Sequence, residues 1–260
     1  MQYQNLFFME SQAFSMFVRN RIFITSEQQD KIGQAKILLA GAGLGSVIAE
    51  CLLRTGFQNI TVIDGDKVEM SHLNRQNYTQ NDVGKDKVDA LKKRLMKINP
   101  LANIRVENVV LTEENMKQYI VDCDYAVNTI DFNSDLPFVF DKKCVEMKIP
   151  ALHPYNLGWA AALILINEES EPLTVIHPDY RNFEPALIEH IIEYCKKYHD
   201  NEPLWLRDVL KDCTGEPVKR PYPKLSVGAA LAAALSTLVT CRIALNRPVR
   251  VLPEIYYLES

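Results

Sequence analysis

The sequence is poor in glycine, and the glycines that it has are unevenly placed. Only 10 of its 260 residues are glycine, well below the usual share of about 7%. Three of them, Gly41, Gly43 and Gly45, fall within five consecutive positions. Glycine permits tight turns and close backbone approach, so this concentration marks one backbone site.

Closely spaced cysteines are also missing. The six cysteines are never closer than 18 residues apart, so the chain has no CxxC pair of the kind that holds structural zinc. The wide spacing also argues against a small disulfide framework. The first residues lack the basic start and apolar core of a signal peptide. Both features predict a protein of the reducing cytoplasm.

Neither sign of charge is in large excess. Lys and Arg number 29 and Asp and Glu number 33, which gives a formal net charge of −4. This argues against a strongly basic surface that would attract nucleic acid or anionic lipid. The alanine-rich stretch 226–241 has no charged residue over 16 positions, fewer than the roughly 20 that span a bilayer. It predicts a buried helix, and we expect neither nucleic acid nor a membrane as a partner.

Short apolar runs alternate with segments of helical periodicity between residues 36 and 167. This alternation predicts an α/β fold of Rossmann-like type, with a doubly wound, mostly parallel sheet between helices. The link before 159–166 is too short for a crossover helix, so that strand is predicted to be antiparallel. Helices are also expected near the N-terminus. The predicted strands are 36–40, 60–64, 104–109, 125–129, 149–152 and 159–166, and the predicted helices are 44–54, 85–98 and 136–147.

The region from 168 to 223 has a different composition. It contains seven of the 13 prolines and two amphipathic stretches, 186–198 and 204–211, which predict a long crossover with short helices. The chain then returns to an apolar helix at 227–245 and a terminal strand around 250–257. Because both are hydrophobic enough to require the same core, we predict a single domain over residues 1–260, with 168–223 as a proline-rich excursion within it.

The glycine cluster lies between a predicted strand and a predicted helix. In such a loop, free N–H groups and the positive end of the helix dipole attract phosphate. Asp64 ends the second strand, where its carboxylate can accept both hydroxyls of a ribose. The pattern predicts a nucleotide site, although its GxGxG spacing is one residue shorter than GxGxxG; the alternative is a tight turn without a ligand. The loop by itself does not distinguish NAD(H) from ATP.

Four short motifs follow the second strand in order. They are D-G-D-K-V at 64–68, L-N-R-Q at 73–76, G-K-D-K at 84–87 and I-N-P at 98–100. Over residues 17–167, and again from 226, the sequence resembles the ThiF/MoeB/HesA family, the bacterial relatives of ubiquitin-activating enzymes. The resemblance implies an adenylyltransferase that uses ATP and Mg²⁺. Its substrate would be the C-terminal carboxylate of a small ubiquitin-fold carrier of ThiS or MoaD type, usually ending in Gly-Gly, for sulfur transfer or a related conjugation.

The charged residues suit this chemistry. An ionised carboxylate needs no general base, but it must approach the α-phosphorus of ATP, so cations must neutralise the phosphates. The resemblance implies that Arg75 and Lys87 contact the triphosphate beside Gln76, and that Asp131, just past the carboxyl end of a strand, holds magnesium. The alternatives are an exposed ion pair for Arg75, a solvated helix face for Lys87 and a helix N-cap for Asp131.

Two further residues have roles that only the resemblance implies. Arg21 would reach into the ATP site of a partner subunit, which implies a homodimer, and Cys213 would form a covalent adduct with the activated carrier. The alternatives are an exposed arginine and an inert thiol. The residues implied to bind the nucleotide are Gly41, Gly43, Gly45, Asp64, Asp66, Asn74, Arg75, Gln76, Lys87, Asn128 and Asp131.

Two features depart from the pattern of the family. His72 stands where the family has the first asparagine of N-L-N-R-Q, and the two CxxC pairs that hold zinc in many members are absent, so no structural zinc is expected. Two other functions stay open. An NAD-dependent oxidoreductase would use the glycine loop and Asp64 but leaves Arg75, Lys87 and Asp131 unexplained. A non-catalytic binding module would account for the short loop and His72, but the presence of those three residues argues against it.

Overall fold

A mixed seven-stranded sheet forms the centre of the molecule. The computed structural model describes residues 16–198, 202–215 and 222–259. The strands are β1 (Lys36–Ala40), β2 (Asn59–Ile63), β3 (Asn103–Glu107), β4 (Tyr125–Asn128), β5 (Ala151–Asn156), β6 (Ala161–Ile166) and β7 (Tyr256–Leu258). They follow the order β3-β2-β1-β4-β5-β6-β7; the first five are parallel, and β6 and β7 are antiparallel additions at one edge. The predicted fold class is confirmed.

Helices cover both faces of this sheet. In the described part of the chain they are α1 (Ser26–Gln34), α2 (Leu44–Thr55), α3 (Lys87–Ile98), α4 (Glu113–Ile120), α5 (Leu136–Glu146), α6 (Phe183–Tyr198), α7 (Trp205–Gly215) and α8 (Ser226–Ala244). The sequence predicted helices near the N-terminus without giving bounds for α1, and it did not predict α4. Both begin with a capping box, in which the side chain of Thr25 or Thr112 accepts a backbone N–H three residues later. The signature is readable from sequence for α1, where Gln28 stands three residues after Thr25.

Most predicted strand bounds agree with the structure to within two residues, but two strand predictions differ by more. The strand predicted at 149–152 runs from 151 to 156 and continues through Pro154. Proline has no N–H to donate, so its presence predicts that a strand ends before it. The terminal strand predicted around 250–257 is limited to Tyr256–Leu258, because the chain turns at Pro253, where the N–H of Glu254 donates to the carbonyl of Val251 at 2.9 Å.

The sheet has a hydrophobic core on each face. Along β1, Ile37 and Leu39 belong to the core shared with α2, α3 and α8, whereas Leu38 and Ala40 belong to the core shared with α4, α5 and α6. All four side chains are at most 1% exposed. A strand buried on both faces is expected in a parallel sheet covered by helices. The two cores therefore hold β1, and the loop that leaves it, at the middle of the molecule.

Helix α8 belongs to the first of these cores. By length and composition alone, its 19 residues could cross a membrane. It packs against α2, β5 and β6, however, and more than half of it is buried. The buried hydroxyls of Ser236 and Thr240 each donate to a carbonyl one turn earlier at 2.7 Å, whereas the buried hydroxyl of Thr237 has no hydrogen-bond partner among the described residues. The predicted burial of this helix is therefore observed.

The proline-rich region contributes α6 and α7. Cys195 on α6 is fully buried, as expected for a core residue. Residues 199–201 and 216–221 of this region, like 1–15 and 260, lie outside the described residues. The single domain over 1–260 stays a prediction.

Candidate active site

The candidate site lies where the strand order reverses. β1 pairs with β2 on one side and with β4 on the other, and such a switch point is where open α/β sheets bind ligands. Gly41 follows β1 and Thr129 follows β4. The N–H and the hydroxyl of Thr129 both donate to the carbonyl of Ala40 at 2.9 Å. The loops that leave β1 and β4 are thus joined at the carboxyl edge of the sheet.

The glycine loop has a fixed backbone. Gly41 has a φ of 109°, and a Cβ at this position would overlap the hydroxyl of Thr129, so the position requires glycine. The N–H of Ala42 donates to Oδ2 of Asp64 at 2.7 Å, and the hydroxyl of Tyr78 donates to the carbonyl of Ala42 at 2.7 Å. Burial raises the pKa of the Tyr78 phenol, which keeps it protonated as a donor. These contacts hold the loop in one conformation.

Helix α2 begins directly after Gly43, with its N-terminus at the switch point. Gly43 provides no side chain to cap the helix, so N–H groups of the first turn are available to a ligand. The amide of Gln76 lies against Gly43. This side chain is 9% exposed, and within the described residues its buried Oε1 has no hydrogen-bond partner. Rotation of the amide would present its NH₂ group instead, so the position fits a phosphate oxygen.

The third glycine lies inside the first turn of α2. A Cβ on Gly45 would be 3.7 Å from Oγ1 of Thr129 and 3.9 Å from Cβ of Leu39, which are ordinary contact distances. Packing therefore does not require glycine here. Compared with GxGxxG, the loop is one residue shorter between Gly43 and Gly45, where α2 begins. The turn at Gly41 and the N-terminus of α2 are both still formed.

Lys87 is a buried cation at the start of α3. Its side chain is 6% exposed, and Nζ lies 2.7 Å from Oδ2 of Asp66 and 3.8 Å from Oδ2 of Asp64. A solvated helix face is therefore excluded. Oδ1 of Asp64 accepts the N–H of Asp66 at 2.8 Å. Lys87 thus brings positive charge to the two carboxylates that follow β2.

Two cations approach Asp131 from distant parts of the chain. Nη1 of Arg75 donates to a main-chain carbonyl at 2.9 Å and to Oδ1 of Asn74 at 2.7 Å. Burial lowers the pKa of the Arg75 guanidinium, and the nearby Asp131 carboxylate opposes this. Nζ of Lys224 lies 3.9 Å from Oδ1 of Asp131. His72 caps the turn before Arg75, since its Nδ1 accepts a backbone N–H at 3.0 Å.

Asp131 itself is available to a ligand. Helix α5 begins after Asp135, which occupies the N-cap position, so Asp131 is not a helix cap. Its side chain is 77% exposed. The described residues contain no group of three potential metal-ligating side chains. Magnesium, however, is commonly held by one or two carboxylates together with substrate phosphates, so this exposed carboxylate fits such an ion.

A buried polar cluster lies beneath the loop that carries Asp131, and the sequence reading missed most of it. Asn128 donates to a main-chain carbonyl in α5 at 3.0 Å and to Oδ1 of Asp141 at 3.1 Å, and its own oxygen accepts the N–H of Ile130 at 3.2 Å. Oδ1 of Asp141 also contacts Nε2 of His153 at 2.5 Å. Asn128 therefore attaches the loop to α5, and the contact with the nucleotide that the resemblance implied stays a prediction. No motif marks Asp141 or His153.

The proline-rich region brings a second carboxylate to this site. Burial raises the pKa of the Glu184 carboxyl at the start of α6, Lys224 lowers it, and Asp131 raises it. Burial also raises the pKa of the Tyr222 phenol, with smaller increases from Glu184 and Cys213. Cys213 on α7 thus lies in the neighbourhood of Tyr222, and its adduct with a carrier stays a prediction.

Arg21 is at the other end of α2. The side chain of the preceding Asn20 donates to the carbonyl of Thr55 at 3.0 Å. Thr55 is the last residue of this 12-residue helix, so it lies roughly 16 Å from the first residue of the helix at about 1.5 Å per residue. Arg21 is therefore not part of the site of its own chain. Next to it, Ile22 and Phe23 are 95% and 86% exposed.

The fold is of the Rossmann-like class, and the site combines a glycine loop, an uncapped helix N-terminus and an exposed carboxylate at the switch point of the sheet. The model of the ThiF family matches residues 17–246, and the chain belongs to this family.

Two curated relatives have names that describe one kind of activity. The chain is 33% identical over 135 residues to a probable molybdopterin-synthase adenylyltransferase of Porphyra purpurea, a match that covers 51% of this chain and 35% of that protein. It is 36% identical over 107 residues to a sulfur carrier protein adenylyltransferase of Thermus thermophilus, which covers 40% of each. The chain thus spans less than half the length of these two relatives.

A solved structure supports the fold alone. The crystal structure of E. coli MccB with ATP matches with a TM-score of 0.64 at 19% identity, covering 89% of this chain and 66% of that one.

Proposed function

We propose that this chain is an ATP-dependent adenylyltransferase that acts on the C-terminal carboxylate of a small ubiquitin-fold carrier protein of ThiS or MoaD type. The proposal rests on one observation. The uncapped N-terminus of α2 and the exposed carboxylate of Asp131 follow two neighbouring strands, β1 and β4, at the switch point of the sheet. Membership of the ThiF family and the names of its relatives support the same activity.

The reaction brings two anions together. A carboxylate oxygen of the carrier forms a bond to the α-phosphorus of ATP, the bond from that phosphorus to the bridging oxygen breaks, and pyrophosphate leaves. The carboxylate is already ionised, so no proton is transferred. The N-terminus of α2 and Gln76 would hold phosphate oxygens, while Arg75 and Lys87 would neutralise charge. Asp64 would accept the ribose hydroxyls.

Asp131 would hold a magnesium ion, which supplies further positive charge against the phosphates when it is bound. Within this chain, Asn128 keeps the loop of Asp131 attached to α5, and Thr129 keeps it attached to the glycine loop. These contacts position the carboxylate before any substrate arrives, which lowers the cost of ordering the site on binding.

The decisive measurement is ATP–pyrophosphate exchange with ThiS-type and MoaD-type carriers that end in Gly-Gly. We expect exchange that requires both magnesium and a carrier, and an Asp131→Ala variant that loses it by a factor of about 10²–10³. Asp135→Ala is the matched control, because Asp135 lies in the same loop and its side chain makes no capping bond. Its exchange rate should equal that of the wild type.

Other outcomes would favour the competing functions. Nucleotide binding without exchange for every carrier would support a non-catalytic binding module. Tight NADH binding with hydride transfer to a substrate would support an oxidoreductase. Equal losses in Asp131→Ala and Asp135→Ala would mean that the loop, and not the Asp131 carboxylate, is what the reaction needs.

We further propose a cytoplasmic homodimer in which Arg21 serves the site of the partner. The exposed Ile22 and Phe23 beside Arg21 support a protein contact on this surface, and the distance of Arg21 from its own site favours action across subunits. If so, mixing inactive Arg21→Ala with inactive Asp131→Ala should restore part of the exchange activity, because some mixed dimers contain one intact site. Mixtures that remain inactive would contradict this arrangement.

A further inference from the structure

Lys224 is a cation at the candidate site that no motif of the chain includes. Its Nζ lies 3.9 Å from Oδ1 of Asp131, and its side chain is 35% exposed. It enters the site from the end of the proline-rich region, immediately before α8. It therefore reaches Asp131 from a different part of the chain than the glycine loop and the segment after β2.

The backbone that carries Lys224 is attached on both sides. Nδ2 of Asn74 donates to the carbonyl of Lys224 at 3.1 Å, and Nδ2 of Asn156 donates to the carbonyl of Leu225 at 2.8 Å. Just beyond, α8 approaches the turn between β5 and β6 so closely that a Cβ on Gly228 would overlap the amide oxygen of Asn156 and lie 2.6 Å from the carbonyl of Gly158. The position of Lys224 is thus built into the fold.

Lys224 lies near two carboxylates. Burial raises the pKa of Glu184, the charge of Lys224 lowers it, and the charge of Asp131 raises it, so both acids are within electrostatic range of the lysine. Without a cation here, an anion that approaches Asp131 would be repelled by both. Lys224 is therefore suited to receive an incoming anion at this position.

The phosphates of a nucleotide have other positive groups available. The N-terminus of α2 is uncapped beside Gln76, and both Arg75 and Lys87 come from the segment that follows β2. Adenylation needs a second anion, the carboxylate of the carrier, next to the α-phosphate. Lys224 comes from the segment just before α8, and that segment contacts the turn between β5 and β6.

We propose that Lys224 binds the C-terminal carboxylate of the carrier and holds it beside Asp131. This inference rests on the proposed function and assigns a residue to its second substrate. In the structure Lys224 is paired with Asp131; with the carrier bound, the carboxylate of the carrier replaces that partner. Lys224 would then select a C-terminal carboxylate over an uncharged end.

The test compares two forms of one carrier. A fluorescently labelled Gly-Gly carrier that supports ATP–pyrophosphate exchange is prepared with a C-terminal carboxylate and as the C-terminal amide. Binding of each form is measured by anisotropy with magnesium and a non-hydrolysable ATP analogue. In the wild type the carboxylate form should bind about tenfold more tightly, as one charge-assisted contact allows. Lys224→Met should abolish this preference, Lys224→Arg should keep most of it, and the affinity for the ATP analogue should be unchanged.

Lys143→Met is the matched control, since it also removes an ion-paired lysine, here from α5, where Nζ contacts Glu146 at 2.6 Å. It should retain the preference of the wild type. If Lys224→Met keeps the preference, if it weakens the ATP analogue instead, or if Lys143→Met loses as much, the assignment is wrong. Absence of exchange in the wild type with every carrier would reject the proposed function and this inference together, whereas exchange with an unchanged preference in Lys224→Met rejects the inference alone.

Discussion

The candidate site has two sides that are held in place differently. The glycine-loop side, residues 41–87, is fixed by many short hydrogen bonds between neighbouring segments, as at Ala42, whose N–H and carbonyl bond to Asp64 and Tyr78. The excursion side, formed by Asn156, Gly158 and residues 222–228, is fixed by two asparagine amides and by the close approach of α8 at Gly228. The first arrangement is rigid in itself, whereas the second depends on how one helix packs.

This difference matters for how each side would fail. Local changes in the glycine-loop side should disturb the fold around β1, because the loop is continuous with a strand that is buried on both faces. Changes in the excursion side should move a cation by a small distance and leave the sheet intact. Three substitutions test this contrast, beginning with the one of largest expected effect.

Gly41→Ala should be the most damaging, with a loss of about 2–6 kcal/mol in the free energy of unfolding. Alanine would have to adopt a φ of 109°, which costs about 1–3 kcal/mol, and its Cβ would overlap Thr129, which adds about 1–3 kcal/mol. Gly45→Ala is the control in the same loop. It has ordinary contacts and a helical position, so it should be neutral or stabilising by up to about 1 kcal/mol. Urea denaturation measures both, and equal losses would show that the loop has no special requirement at Gly41.

Gly228→Ala should cost about 1–3 kcal/mol, as overpacking against a backbone usually does. The added Cβ would push α8 away from the turn between β5 and β6, and Lys224 would move with it. The distinguishing result is therefore functional: carrier binding should weaken while binding of the ATP analogue stays the same. Weaker binding of both ligands would mean that the two sides of the site are not separable.

Glu50→Gln should have the smallest effect, about 1–2 kcal/mol at neutral pH, since its two arginine partners are partly exposed. Glu50 contacts Arg54 at 2.8 Å and Arg94 at 2.5 Å. Burial raises the pKa of its carboxyl, but the bonds to Arg94 and Arg54 outweigh this and lower it below its ordinary value of 4.5.

A carboxyl whose pKa is lower in the folded state than in the unfolded state stabilises the protein at pH values above its unfolded-state pKa. This stabilisation is lost as the pH falls through the folded-state pKa. The stability difference between the wild type and Glu50→Gln should therefore be full near pH 7 and shrink below about pH 4.5. Unfolding midpoints from pH 3 to 7 measure it. A difference that does not change with pH would show that packing, and not charge, is what Glu50 contributes.

The same contrast explains what could be predicted from sequence. The glycine loop, Asp64 and Lys87 were predictable because strand, loop and motif are close together in the chain. Lys224 and Glu184 were not, since their proximity to Asp131 depends on where α6 and α8 pack. Asn128 shows a third limit: a motif places a residue at the end of a strand but does not tell whether its amide faces a ligand or, as here, α5.

The bond between the hydroxyl of Thr129 and the carbonyl of Gly41, at 3.3 Å, joins residues 88 positions apart. Contacts of such long range form late, because closing a long loop costs chain entropy before the contact is gained. We therefore expect the glycine cluster, although compact in sequence, to reach its final shape late in folding, since that shape requires β4 to be paired with β1. A fragment ending before residue 125 would contain every glycine of the cluster and still lack the contacts from Thr129 that complete the loop.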